Sequence, residues 1–185
     1  VNEKSFINPS SPYSASKASS DNLVQAWHKT YGLPTIITRC SNNFGPFQNK
    51  EKFIPKLINS IKNKSKFTLY GNGKNVREWI YVLDHCEALE KIIRKGKAGN
   101  IYNIGSGIRL TNIEVIKKTI TKMKNRGLID DKTLKKYYIK VSDRLGHDQR
   151  YAINSNKIKK ELKFRSKYTF NKGLNKTIDW YLNEK

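Results

Sequence analysis

The sequence predicts an α/β fold with mixed strands and helices. Short β-branched runs alternate with amphipathic helical stretches, the pattern of βαβ units in a parallel sheet. Hydrophobic residues make up 37% of the chain, Trp27, Trp79 and Trp180 among them, which is more than a disordered chain carries. The 185 residues suffice for one good-sized core or two small lobes sharing an interface. No internal repeat or low-complexity linker divides them.

The first predicted element is a helix over residues 13–31, where Ala15, Ala18, Leu23, Ala26 and Trp27 recur at helical spacing and "YGLP" supplies a glycine-then-proline stop. "TIITR" (35–39) reads as a buried strand. "SNNFGPF" is then a loop punctuated by Gly45 and Pro46. A second helix is expected over 53–64. In 67–82, "FTLYGNGKNVREWIYV", alternation around Asn72-Gly73 predicts a β-hairpin. Residues 84–94 form the next helix, with Asp84 as its cap. "NIYNIGSG" is a strand entering a glycine loop. Thr111 and Asn112 open a long helix with Ile113, Ile116, Ile120 and Met123 on one face. Residues 137–141 and "RYAI" read as short strands, and 170–182 as a closing amphipathic helix.

The formal net charge is +22. Such a balance admits nucleic-acid binding, but the lysines are spread along the chain rather than gathered in a tail or stripe, so no nucleic-acid partner is expected. Anionic substrates fit the charge equally well. No apolar run approaches a membrane span and no signal peptide opens the chain, so no membrane partner is expected. Cys40 and Cys86 form neither a CxxC nor a disulfide spacing, which implies a reducing, cytoplasmic setting with both as small core residues. His28, His85 and His147 lie far apart, and no metal site is expected.

Tyr13 and Lys17 stand at i and i+4, so phenol and ammonium share one helix face. A neighbouring cation favours phenolate, and such a tyrosine can take a proton from a hydroxyl while hydride leaves the same carbon. In so basic a chain the pair alone reads better as a core-edge tyrosine beside one of many surface lysines. Gly71-Asn72-Gly73 is the hairpin turn, and Gly105-Ser106-Gly107 lacks the third glycine of a dinucleotide fingerprint. In "SDRLGHDQRYAI" (142–153), Asp143, Arg144, His147, Asp148 and Arg150 crowd around Gly146. An arginine there can clamp a diphosphate through its planar fork, or the segment can be an exposed charged turn. Arg77 is either a phosphate clamp or the cross-strand partner of Glu78.

Taken in order, "SPYSASKASSDNLVQAW", "RCSNNFGPFQNKEKFIPKLI", "LYGNGKNVREWIYVLDHCEAL", "YNIGSG" and "DRLGHDQRYAI" resemble the extended short-chain dehydrogenase/reductase family, and within it the dTDP-glucose 4,6-dehydratases. The resemblance runs from about Pro9 to the C-terminus. YxxxK marks only the superfamily; the SNNFGP, EKFIP and DRxGHDxRYAI segments are specific to the dehydratases. It implies a lyase that uses tightly bound NAD to turn dTDP-glucose into dTDP-4-keto-6-deoxyglucose, and a homodimer formed partly through the Tyr13 helix. Tyr13 would be the base and Lys17 would lower its pKa and hold the nicotinamide ribose, with Asn43 beside the nicotinamide. Asn42, Lys52, Phe53, Thr68, Leu69, Tyr70, Arg77, Asn112, Asp143, Arg144, Gly146 and His147 would line the nucleotide-sugar site. The implied domains are residues 1–46 as the C-terminal remainder of a Rossmann NAD-binding domain and 47–185 as mainly a substrate-binding lobe, with segments around 77–105 returning to the Rossmann lobe.

There are departures. Leu145 stands where the family has proline, and Phe44 where it has tyrosine. The GxxGxxG turn for the NAD pyrophosphate and the Thr-Asp-Glu segment that carries out elimination are not in these 185 residues. The chain is therefore expected to be a C-terminal portion, inactive by itself, with an unpaired sheet edge and exposed apolar helix faces. A UDP-sugar epimerase, decarboxylase or related dehydratase is the nearest alternative. A basic binding protein that keeps the fold without the chemistry is an alternative of another class.

Overall fold

A computed structural model describes residues 1–129 and 134–184. Helix α1 (Pro12–Tyr31) starts where the Ser11 hydroxyl accepts from the Ser14 N–H at 3.2 Å, with Pro12 in the first turn where no N–H is needed. It ends at Gly32, whose N–H donates to the His28 carbonyl. None of its residues is buried, and Leu23, Trp27 and Tyr31 are exposed. Next come β1 (Ile37–Cys40), β2 (Asn42–Phe44), α2 (Phe53–Lys62), β3 (Phe67–Tyr70), β4 (Val76–Tyr81) and α3 (Val82–Lys95). The chain continues through β5 (Ile101–Ile104), β6 (Arg109–Thr111), α4 (Asn112–Lys124), a 3-10 turn, β7 (Tyr138–Val141), β8 (Arg150–Tyr151), α5 (Asn156–Leu162) and α6 (Phe170–Asn183).

Most pairings are parallel. β1 runs beside β5 with Ile37 opposite Ile101, β2 beside β4 with Asn42 opposite Trp79, and β3 beside β7 with Tyr70 opposite Val141. β4 also takes β8 in parallel and β6 antiparallel. The expected hairpin over 67–82 is therefore not formed. Gly71 (φ 62°) and Gly73 (φ 75°) do turn the chain, but β3 and β4 then enter different sheets. The connection spans residues 71–75, too long for a tight two-residue turn, and Asn72 Oδ1 accepts from the Lys74 N–H at 2.8 Å.

Because side chains alternate along a strand, β4 feeds two cores. Trp79 and Tyr81 join the larger, with Phe44, Leu57, Ile116, Ile120, Phe170 and Ile178 of β2, α2, α4 and α6. Ile80 joins the smaller, with Ala88, Ile92, Tyr102, Ile104, Ile158 and Phe164 around α3, β5 and α5. Helix α5 was not expected from sequence: it is seven residues long and shows only Ile158 and Leu162 as its buried stripe.

Two expected roles change. Asp84 is not a cap; it lies inside the first turn of α3, buried, where its carboxylate accepts from Ser166 Oγ and from the N–H groups of Lys167 and Tyr168. Cys86 is exposed and so is not a core residue, while Cys40 is half-buried and packs against the smaller core.

Helix α4 carries a full capping box, with Thr111 Oγ1 accepting from the Glu114 N–H at 3.2 Å while Glu114 Oε2 accepts from the Thr111 N–H at 2.7 Å. These bonds from Thr111 hold the Glu114 carboxyl below its ordinary value. A folded pKa below the unfolded one gives stabilisation that is complete above the ordinary carboxylate range and is lost as pH falls through the depressed value. Thr111→Ala is expected to cost about 1 kcal/mol in urea unfolding at neutral pH. The deficit should shrink as the buffer is acidified; a constant deficit would mean the box does not act through the carboxylate.

Candidate functional site

The predicted residues fall into two groups bridged by β4 and β8. The first surrounds the ends of α1, β1 and β2. Tyr13 and Lys17 lie on the exposed face of α1, with Tyr13 75% accessible. Arg39 Nε donates to Asp21 Oδ2 at 2.7 Å and ties α1 to β1. Burial pushes the Cys40 thiol up, against the hydrogen bond from Asn43. Asn43 Nδ2 donates to Cys40 Sγ and to the Ser41 carbonyl, each at 3.3 Å. These acceptors set the orientation of the carboxamide, and its Oδ1 is buried with no partner among the described residues. Asn42 precedes it on β2, half-buried.

The second group lies where β3, β4 and the 142–149 loop meet. Arg144 sits over the Tyr70 ring, 5.0 Å from its centroid. Arg144 Nη2 is 3.0 Å from His147 Nε2, and His147 Nδ1 is 2.6 Å from Asp143 Oδ1. The bond from His147 holds the Asp143 carboxyl below its usual range. Asn75 Nδ2 donates to the Asp148 carbonyl at 3.3 Å and lies 3.3 Å from His147 Nδ1. Arg77 Nη2 donates to the same Asp148 carbonyl at 2.7 Å. Glu78 is not its partner, since adjacent strand residues face opposite sides. Burial pushes the Arg77 guanidinium down, with Asp148 opposing and Arg144 adding to the shift.

Two glycines let these segments close. A Cβ at Gly71 would meet Asp143 Oδ2 at 2.7 Å, and one at Gly146 (φ 66°) would meet the Ser10 carbonyl at 3.1 Å. The second contact brings the loop against the entry to α1, a few residues before Tyr13. Leu145 is fully exposed and packs on nothing. Between the groups, Tyr151 Oη reaches the Cys40 carbonyl at 3.5 Å.

The remaining expected residues are dispersed. Lys52 is the exposed residue preceding α2. Phe53 packs on Phe67 and Trp79 at ring distances of 5.0 and 6.0 Å. Thr68 is half-buried on β3, but the Leu69 side chain is 1% accessible inside the larger core, so only its backbone can reach a ligand. Asn112 is buried at the start of α4, its N–H donating to the Asn75 carbonyl at 3.1 Å. Sequence reasoning missed Asn75 and Tyr151. Both lie inside quoted segments, Tyr151 at a fixed position of DRxGHDxRYAI, but neither was singled out. No cluster of His, Cys, Asp and Glu suited to a metal ion occurs among the described residues.

The profile of the GDP-mannose 4,6-dehydratase family matches residues 1–177. The chain belongs to that family. Among its relatives, a dTDP-glucose 4,6-dehydratase of Escherichia coli is 50% identical over 191 residues, covering 99% of this chain and 51% of its own. The dTDP-glucose 4,6-dehydratase of Haemophilus influenzae is 44% identical, over 97% of this chain and 54% of its own. The crystal structure of a Streptomyces venezuelae dTDP-glucose 4,6-dehydratase with NAD bound superposes with a TM-score of 0.89 at 43% identity, covering 98% of this chain and 54% of that one. The NAD complex of the Bacillus anthracis enzyme gives 0.88 at 46% identity, over 97% and 55%. The fold is thus of the extended short-chain dehydrogenase/reductase type. The chain spans about half the length of these GDP-mannose 4,6-dehydratase family members.

Proposed function

We propose that this chain is the part of an NAD-dependent dTDP-glucose 4,6-dehydratase that holds the nucleotide sugar and carries the Tyr13/Lys17 pair. The observation that carries the reading is that one short loop meets both arginines, its Asp148 carbonyl accepting from Arg77 and its His147 lying 3.0 Å from Arg144, which sits over Tyr70, within a chain of this family. Both guanidiniums would bind the diphosphate, and Tyr70 would flank the base. The remaining expected residues, Asn42, Lys52, Phe53, Thr68, Leu69, Asn112, Asp143, Gly146 and His147, would complete that site.

The first group suits the nicotinamide. Asn43 Oδ1 is a buried acceptor with no partner among the described residues, fit to meet an amide donor, and Lys17 of α1 would hold the ribose. The chemistry that bound NAD supplies is the acceptance and return of hydride. Tyr13 Oη would take the proton of the sugar C4 hydroxyl, with the Lys17 ammonium favouring the phenolate. Elimination of water requires an acid and a base that the resemblance places in a Thr-Asp-Glu segment outside these 185 residues. Residues 1–46 and the segments around 77–105 would serve the cofactor lobe and the rest the substrate lobe, in a cytoplasmic homodimer.

The test is an Escherichia coli relative whose C-terminal half is replaced by this chain. Incubated with dTDP-glucose, it should give a product lighter by one water, while the chain alone should give none. Epimerisation or decarboxylation of a UDP-sugar, with dTDP-glucose left intact, would replace the reading with the sister-enzyme alternative. Salt-sensitive DNA binding with no affinity for dTDP would replace it with a basic binding protein.

A further inference from the structure

His147 is enclosed by polar groups from several elements. Asp143 and Arg144 come from its own loop and Asn75 from the segment entering β4. Its side chain is 9% accessible, whereas that of Asp143 is 41% accessible. Asn75 Nδ2, 3.3 Å from Nδ1, donates to the Asp148 carbonyl instead, and the ring can serve its two closer neighbours in one tautomer only. Nδ1 carries the proton and donates to Asp143 Oδ1, which has no proton to give; Nε2 is then a lone pair that accepts from Arg144 Nη2, which can only donate.

We propose that His147 is a positioning residue: through this tautomer it links Asp143 to Arg144 and holds the guanidinium over Tyr70, in place for an anionic nucleoside diphosphate. The inference rests on the nucleotide-sugar reading of the site. Arg144 is an exposed residue on a long, rotamer-rich side chain. An acceptor fixed from behind removes much of the ordering cost that binding would otherwise carry. Asp143 acts one step further back, by selecting the tautomer, and Gly71 lets that carboxylate approach.

The experiment uses the 185-residue chain and dTDP as probe. His147→Ala should weaken dTDP binding about tenfold by isothermal titration, the scale of one hydrogen bond to a charged group. Arg144→Ala should weaken it further, and adding His147→Ala to Arg144→Ala should change nothing more, because the histidine acts through the arginine. His147→Gln, whose amide oxygen can stand where Nε2 stood, should keep affinity within about threefold of the parent, a difference below one ordinary hydrogen bond. Additive losses, or a glutamine variant as weak as alanine, would overturn the assignment. Nitrogen-15 spectra of the imidazoles give an arm independent of the nucleotide, since the chain has three histidines. An Nδ1–H tautomer at His147 is expected, and an Nε2–H tautomer would overturn the link to Arg144. If the parent chain bound no dTDP while showing the Nδ1–H tautomer, the nucleotide reading would fall and the link would stand as a structural one.

Discussion

Tyr13→Phe, placed in the chimera with the Escherichia coli N-terminal half, is expected to lower the turnover of dTDP-glucose about a thousandfold, within the range of a lost general base. The substitution removes one oxygen from an exposed helix face, so folding should not change. Arg77, Arg144 and Tyr70 stand on other elements, and dTDP affinity should be that of the parent. The loss therefore belongs in kcat and not in KM, the pattern of an interaction made only in the transition state. A variant that kept more than about a tenth of the parent rate would remove Tyr13 from the chemistry, since a tenfold effect lies below what a general base contributes.

Glu78→Ala should cost about 2–3 kcal/mol of stability, measured as a shift in the guanidinium unfolding midpoint, because it strips the acceptor from a buried donor. The Glu78 side chain is fully buried. Its Oε1 accepts from the Gly107 N–H at 3.0 Å, and its Oε2 accepts from the Ile153 N–H at 3.3 Å and pairs with Arg109 at 3.6 Å. A Cβ at residue 105 would lie 2.2 Å from Oε1, so Gly105 is what admits the carboxylate. One side chain thus joins β4 to the glycine loop after β5 and to the segment after β8. Arg109 is exposed enough to be rehydrated when the acid is lost, but the buried Ile153 N–H is not. A cost below about 1 kcal/mol would mean that water replaces the carboxylate and that the loops are held by packing alone.

Much of this was legible in the sequence because it is written locally. Helix α1 shows its serine cap, its proline and its glycine stop within a short window, and α4 shows the Thr111/Glu114 box and a hydrophobic stripe at helical spacing. The order of the motifs carried the family, and it singled out Tyr70, Arg77, Asp143, Arg144 and His147, which the structure gathers in one place.

What failed was information that is not local. The Asn72-Gly73 turn is real, yet whether two strands pair after a turn depends on which partners bury their faces better. For β3 that partner is β7, some seventy residues on, and for β4 it is β2, β6 and β8. Asp84 has the side chain of a cap, but the donors that claim it come from residues 166–168. Leu69 sits between ligand-facing candidates in sequence, while the strand's alternation turns it into the core. By itself the sequence determined the longer helices, the family, and the residues from which a nucleotide-sugar site is proposed. Only the tertiary structure decided strand partners, the burial of Glu78 and Asp84, and the hold of His147 on Arg144. These depend on distances between segments far apart in the chain, and no local pattern encodes such distances.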